Sequence, residues 1–177
     1  MRKMGKFIDN LSSFLGLSNQ DEDLIKFFTE NNFIKRNNDL QLCLYDEDGE
    51  WLDEHDLYIE NHSKGLCFIF TDEAFFLENI NKPLLGEVLY LSTIFFFNDG
   101  VDGYSKYNLG LPFSLEFSMK SDDLLKIFGN PIFYRKNEDG ILVGQKWSFE
   151  NVPYTLFVDY DVSGHIKHIS LSIPATN

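Results

Sequence analysis

The chain has few cysteines, the residues that can cross-link a fold covalently. It contains two cysteines, Cys43 and Cys67, among 177 residues. Two thiols cannot build a disulfide framework in a chain of this length, and their spacing matches no metal-binding motif. Each lies in an apolar run, LQLCLY or GLCFIF. Both are therefore predicted to be small core residues, with a single disulfide bridge as the alternative.

Basic residues are also scarce, since 15 lysines and arginines face 28 acids and give a formal charge of -13. Phosphate groups repel such a chain, which argues against nucleic acid and anionic membrane surfaces as partners. A basic protein, a cation, or solubility alone remains as the explanation of the acidity.

No stretch of the sequence approaches the roughly 18 consecutive apolar residues that a membrane-spanning helix needs. The first residues are basic and then partly apolar, but Asp9 and Asn10 interrupt the apolar stretch and no signal-peptide cleavage site follows. An amphipathic helix fits this segment better, because its apolar residues share one helical face. These residues are Phe7, Ile8, Leu11, Phe14 and Leu15. A cytoplasmic location is the resulting expectation.

The familiar catalytic motifs are missing as well: there is no phosphate-binding loop, nucleophile elbow, HExxH or CxxC. The expectation is a protein without enzymatic activity, cofactor or metal. Glu54, His55 and Asp56 are the alternative, as an acid–base group of a metal-assisted hydrolase, although neighbours in a loop rarely point at one reaction centre. The remaining histidines, including the HIKH pair His165 and His168, are predicted to lie at the surface.

The hydrophobic pattern predicts an α+β protein in which antiparallel β-sheet packs with a few helices. A helix is expected over residues 20–33. A hairpin follows over residues 37–51 with its turn at Asp48-Gly49, then two strands around Ser63-Lys64-Gly65, then a strongly apolar strand in EVLYLSTIFFFN.

After a glycine-containing stretch, the pattern predicts a short strand in FSLEFSM and a helix in SDDLLKIFGNP, capped by Ser121 and ended by Gly129. Four strands complete the chain: IFYRK, ILVGQKWSF, YTLFVDYD and HIKHISLSI. A helix followed by strands thus occurs twice, which suggests two similar halves. One domain over 1–177 is expected, with 99–110 connecting 1–98 and 111–177 if it is subdivided.

Nine acids lie between Asp39 and Glu60, with no lysine or arginine between Arg36 and Lys64. Such a run is a hydrated loop, a surface for a basic partner, or a divalent cation site, although its spacing does not match an EF-hand. Aromatic residues amid charge are common interface anchors, which favours a binding surface. The candidate partner-binding residues are Asp46, Glu47, Asp48, Glu50, Trp51, Asp53, Glu54, Asp56 and Tyr58.

A second pattern extends from about Gly65 to Pro174. It includes LPF followed by alternating apolar residues, then a helix ending in GNP. Its positions are Leu111, Pro112, Phe113, Leu115, Phe117, Met119, Asp123, Leu124, Gly129 and Pro131. This pattern resembles the small bacterial immunity proteins encoded beside polymorphic toxins, including those of contact-dependent growth inhibition systems.

The resemblance implies a cytoplasmic inhibitor that binds and neutralises one cognate toxin, for which a basic nuclease is the expected type. An acidic inhibitor would associate rapidly with such a toxin through charge attraction. The alternative is a general acidic interaction or adaptor domain that has no toxin partner. The acid run lies outside the resembling region, so it is an independent argument for a basic partner.

Overall fold

A computed structural model describes Phe7 and residues 11–78 and 81–174. Within these residues, seven β-strands form one antiparallel sheet in the spatial order β1–β2–β3–β7–β6–β5–β4. The strands are β1 (Asp56–Asn61), β2 (Leu66–Asp72), β3 (Leu89–Phe97), β4 (Phe133–Lys136), β5 (Leu142–Ser148), β6 (Thr155–Tyr160) and β7 (Ile166–Ser172). The predicted α+β class is confirmed.

Three helices are described in full: α1 (Glu22–Glu30), α2 (Glu73–Phe76) and α3 (Ser121–Phe128). The Asp21 side chain accepts a hydrogen bond from Leu24 N at 2.9 Å and so caps α1. The predicted cap of α3 is wrong by one residue. Lys120 is the N-cap, Asp123 accepts a hydrogen bond from the Lys120 amide, and Ser121 donates to Gln145 Oε1 instead.

The main core lies between the helices and one face of the sheet. On the β2 side, the Phe28 ring of α1 lies 4.7 Å from the Phe68 ring and 5.5 Å from the Phe70 ring. On the β5 side, α3 places Phe128 5.6 Å from Trp147. This apolar face is continuous across five adjacent strands, because the strand register places apolar residues directly opposite one another. In order from β2 to β5 these residues are Phe68, Ile94, Leu171, Leu156 and Trp147. One apolar surface therefore holds both helices.

β3 pairs with β7, so a continuous sheet spans residues on both sides of the 99–110 connection. Tyr104 of that connection packs on the second face of the sheet, where its ring stacks on the Phe97 ring at 3.9 Å, while Tyr107 is buried in the main core. Tyr104 also donates a hydrogen bond to Glu60 on β1. Burial, and then the bond to Glu60, raises the pKa of Tyr104. The connection is thus tied to the sheet by both packing and hydrogen bonding.

FSLEFSM is not a strand, contrary to prediction. Residues Pro112–Ser114 form a 3-10 turn in which Phe113 and Ser114 both have φ of 57°, which ends the extended conformation. Leu115 and Phe117 are buried as the alternation predicts. The alternating pattern predicted burial correctly, but none of the described strands pairs with this segment.

Cys43 is exposed, and the prediction that it is a core residue is wrong. In LQLCLY the leucines turn inward, with Leu42 buried and Leu44 half-buried, which directs Cys43 to solvent. Cys67 is buried as predicted, and burial raises the pKa of its thiol to about 11. Both cysteines are free.

Part of the predicted N-terminal helix, residues 8–10, lies outside the described residues. Phe7 and residues 11–13 are helical, and Leu11 and Leu15 are buried in the main core. No helix among the described residues is both long enough and apolar enough to cross a bilayer.

His168 is largely buried, with 17% of its side chain exposed, so its predicted surface position is wrong. It packs between the Phe95 and Phe97 rings on the second face of the sheet, near the buried carboxylate of Asp159. Asp159 is paired with Arg135 and lies 3.2 Å from the Lys167 ammonium. Burial lowers the pKa of His168 below 6.5. Asp159 and Asp102 oppose that shift, while Lys167 and Arg135 reinforce it.

This burial predicts that the free energy of unfolding falls as the pH is lowered through 6.5. The unfolded chain binds the His168 proton more tightly than the folded protein does, so acid favours unfolding. Urea titrations between pH ~7.5 and ~5.5 measure the effect, because an unperturbed histidine titrates within that window. The pKa values of Asp39 and Asp161 lie below 3.8, so these groups do not contribute there.

His168→Phe keeps an aromatic ring in the same packing position and should flatten this pH dependence. His165→Gln, at an exposed turn position, is the matched control and should leave the pH dependence unchanged. An equal slope in wild type and His168→Phe would show that another group is responsible.

Candidate functional site

The predicted binding residues begin in a short hairpin whose tip spans residues 45–51. A single β-bridge joins Tyr45 to Trp51, rather than the longer pair of strands that the sequence predicts. The Asp46 carboxylate accepts hydrogen bonds from the amides of Asp48 at 3.0 Å and Glu50 at 2.8 Å. Gly49 adopts φ of 80°, which glycine allows at little cost. Asp46 therefore holds the turn in shape, while its neighbours project into solvent.

Two aromatic rings flank the tip. Tyr45 and Trp51 pack edge-to-face with ring centroids 5.4 Å apart, yet each remains about half exposed, at 54% and 50%. Large aromatic side chains are normally buried, and those at interfaces tend to carry much of the binding energy. The two rings already contact each other without a partner, and such a contact reduces the entropy lost on binding.

The remaining candidates follow in sequence toward the sheet. Asp53 and Glu54 are exposed in the connecting segment. Asp56 and Tyr58 are two residues apart in β1 and therefore lie on the same face of the strand. Asp56 is half-buried and accepts a hydrogen bond from the Thr71 hydroxyl. Burial, and then the charge of Asp56, raises the pKa of Tyr58, so its hydroxyl stays protonated and can donate to a partner.

The structure therefore brings five of the predicted residues together at the tip: Asp46, Glu47, Asp48, Glu50 and Trp51. Of all nine, only Asp56 is not exposed. Among the described residues, Glu47, Asp48, Glu50 and Asp53 form no ion pair with any lysine or arginine. No described lysine or arginine therefore neutralises these four carboxylates, and hydration or a cationic partner must stabilise their charge.

Sequence reasoning missed two contributors. Tyr45 faces Trp51 across the DEDG turn, and an aromatic residue on each side of a predicted turn was the signal that could have identified it. Phe75 of α2 stacks on His55 with ring centroids 4.0 Å apart and is itself about half exposed. Residues 55 and 75 lie in different elements, so no local pattern could reveal this contact.

The alternative acid–base group is not assembled as a metal site. The His55 ring lies against Phe75, and its Nε2 atom lies 3.6 Å from Asp56 Oδ2, while Glu54 is exposed. Within residues 11–78 and 81–174, together with Phe7, no three His, Cys, Asp or Glu side chains are placed to hold a metal ion. The geometry here offers charge and aromatic surface.

No family model, curated protein or solved structure matches this chain.

Proposed function

We propose that this protein is a cytoplasmic inhibitor that binds a basic partner protein through residues 45–58, as an immunity protein binds its toxin. The observation that carries the proposal is the hairpin tip, where four exposed acids lie between two exposed aromatic residues whose rings pack against each other. A hydrated loop needs no large exposed aromatic residues. A protein-binding surface uses them as anchors.

The charge distribution supports a basic partner. Like charges packed closely destabilise the segment that carries them, and a cationic surface relieves this repulsion. Attraction between opposite surfaces also accelerates encounter, so association should be fast at low salt and slower as salt rises. Acidic residues that imitate the charge of nucleic acid would suit a nuclease that is basic where its substrate binds.

The toxin part of the proposal rests on the sequence resemblance over residues 65–174. Its direct test is the protein encoded by the neighbouring gene. Association of the two purified proteins, with loss of that protein's toxicity, would support the proposal. A non-toxic basic neighbour that binds would indicate the general adaptor instead, and a neighbour that fails to associate would count against the proposal.

The surface itself is tested by reversing charge without removing the turn. Changing Glu47, Asp48, Glu50 and Asp53 to lysine should weaken binding of the neighbouring protein ~100-fold at low salt, mostly through slower association. Asp46 is retained because its side chain holds the turn. Surface plasmon resonance at several salt concentrations gives both rate constants.

A second charge-reversal variant tests whether binding depends on the position of the acids or only on the net charge of the protein. Glu30, Asp99, Glu138 and Glu150 are exposed acids outside the hairpin, and changing them to lysine gives the same formal charge change. This control should bind within a few-fold of wild type. Equal loss in both variants would show that net charge, and not residues 45–58, governs the interaction.

A further inference from the structure

The other edge of the sheet has a different chemistry. Among the described residues, β4 has one neighbouring strand, β5, and all four of its own residues are exposed. Ile132 precedes it at 62% exposure, and Phe133 and Tyr134 are about half exposed. Arg135 and Lys136 complete the strand, so this edge is apolar and basic in a chain of formal charge -13.

An unpaired edge strand is a template for another strand. We propose that the occupant is β4 of a second copy of this chain, paired antiparallel across a twofold axis. The pairing would extend the two seven-stranded sheets into one continuous sheet. The proposal is independent of the partner that residues 45–58 bind.

Strand directions favour this symmetric arrangement. All neighbours in the sheet are antiparallel and the number of strands is odd, so the edge strands β1 and β4 run in the same direction. Stacking copies head to tail with their faces aligned would pair β4 with β1 in parallel, which is the weaker mode. A rotation of 180° about an axis perpendicular to the sheet pairs β4 with β4 antiparallel and keeps both faces continuous.

The side chains select one register. With Tyr134 opposite itself, Phe133 of each copy lies opposite Arg135 of the other, which places a cation against an aromatic ring twice. Arg135 already lies 5.3 Å from the Phe157 ring and pairs with Asp159, yet half of its side chain remains exposed. Moving the twofold axis to residue 135 would place Arg135 opposite itself, and like charges directly opposite are destabilising. Moving it to residue 133 would place Phe133 opposite itself and would lose both cation–ring pairs.

The same symmetry applied to β1 is unfavourable. With Tyr58 opposite itself, Asp56 would lie opposite Glu60, which brings carboxylates together at both ends. The β4 pairing avoids this, since the six strand spacings between β4 and β1 amount to about 29 Å at ~4.8 Å each. That distance exceeds the Debye length of ~8 Å at physiological salt, so the acids near β1 repel little across the dimer.

Sedimentation velocity over a concentration series tests the proposal with the full chain. Wild type should shift from monomer to dimer as concentration rises. Tyr134→Lys places two ammonium groups at the twofold axis and should raise the dimer dissociation constant at least ~10-fold. Tyr58→Lys makes the same change on the opposite edge strand, at a site that is exposed to a similar degree, and should leave that constant unchanged. Circular dichroism confirms that both variants fold.

Cysteine cross-linking fixes the register. In a Cys43→Ser background, Tyr134→Cys should form a covalent dimer on oxidation, because directly opposite β-carbons lie about 4.5–5.5 Å apart. Tyr58→Cys should not. A wild type that stays monomeric at every concentration, a dimer that persists in Tyr134→Lys, or equal cross-linking at both positions would overturn the proposal.

Discussion

Replacing Gly65 with alanine should destabilise the fold by about 3 kcal/mol or more, because the new methyl group would overlap backbone atoms. Gly65 has φ of 68°, and an added Cβ would lie 2.3 Å from the Ser105 carbonyl oxygen and 2.6 Å from the Tyr107 nitrogen. Backbone cannot rotate aside as a flexible side chain can. The segment is also fixed in place, since the Tyr107 amide donates to Phe97 O at 2.9 Å. Urea unfolding measures the loss.

Gly49→Ala measures how much of the stability loss in Gly65→Ala comes from backbone strain at positive φ, without the steric overlap. Gly49 also has positive φ, 80°, but nothing lies within 4 Å of an added Cβ. Its replacement should cost only about 1 kcal/mol, the strain of placing a side chain in the left-handed region. Similar losses for Gly49→Ala and Gly65→Ala would mean that residues 105–107 move away from residue 65 without penalty.

Phe28→Ala should lower the free energy of unfolding by about 4 kcal/mol, within the range for deleting a buried ring from a core. Phe28 is fully buried, and its ring lies within 5.5 Å of the rings of Phe33, Phe68 and Phe70. Phe68 and Phe70 are held in β2, and Phe33 packs on Phe68 with ring centroids 4.8 Å apart, so the three rings cannot all collapse into the cavity. Chemical denaturation of the purified variant gives the value.

Phe75→Ala is the control, since it removes the same atoms from a ring that is about half exposed. Its loss should be about 1 kcal/mol, because much of that ring already contacts water. If Phe28→Ala costs no more than Phe75→Ala, then α1 contributes little to the core despite its contacts with β2.

Local patterns predicted most of the elements. Hairpins at His62–Gly65, Asn137–Gly140 and Asp161–Gly164 were predictable because polar and glycine residues interrupt runs of β-forming side chains there. FSLEFSM shows the limit of such patterns. Alternation of apolar and polar residues predicts which side chains are buried, whereas a β-strand also needs a neighbouring strand to pair with. The order of strands was not predictable, since placing β7 beside β3 depends on side chains far apart in sequence.

Some features of the candidate site were likewise predictable from the sequence, and others depend on the fold. Exposure of Glu47, Asp48 and Glu50 follows from charge density alone, because burying so many uncompensated acids is too costly. The Tyr45–Trp51 pair depends on turn geometry, and the His55–Phe75 stack depends on the fold. Sequence therefore located the charge of the surface but only part of its aromatic content.

The position of β7 has a consequence for synthesis on the ribosome. Of the seven described strands, β7 is the last along the chain, yet it occupies the middle of the sheet, between β3 and β6. Until it emerges, the nascent chain holds two incomplete meanders, and β3 presents Ile94 and Phe96 along an unpaired edge. Such an edge invites pairing between chains, so the interval before β7 joins is when a nascent chain is most exposed to aggregation.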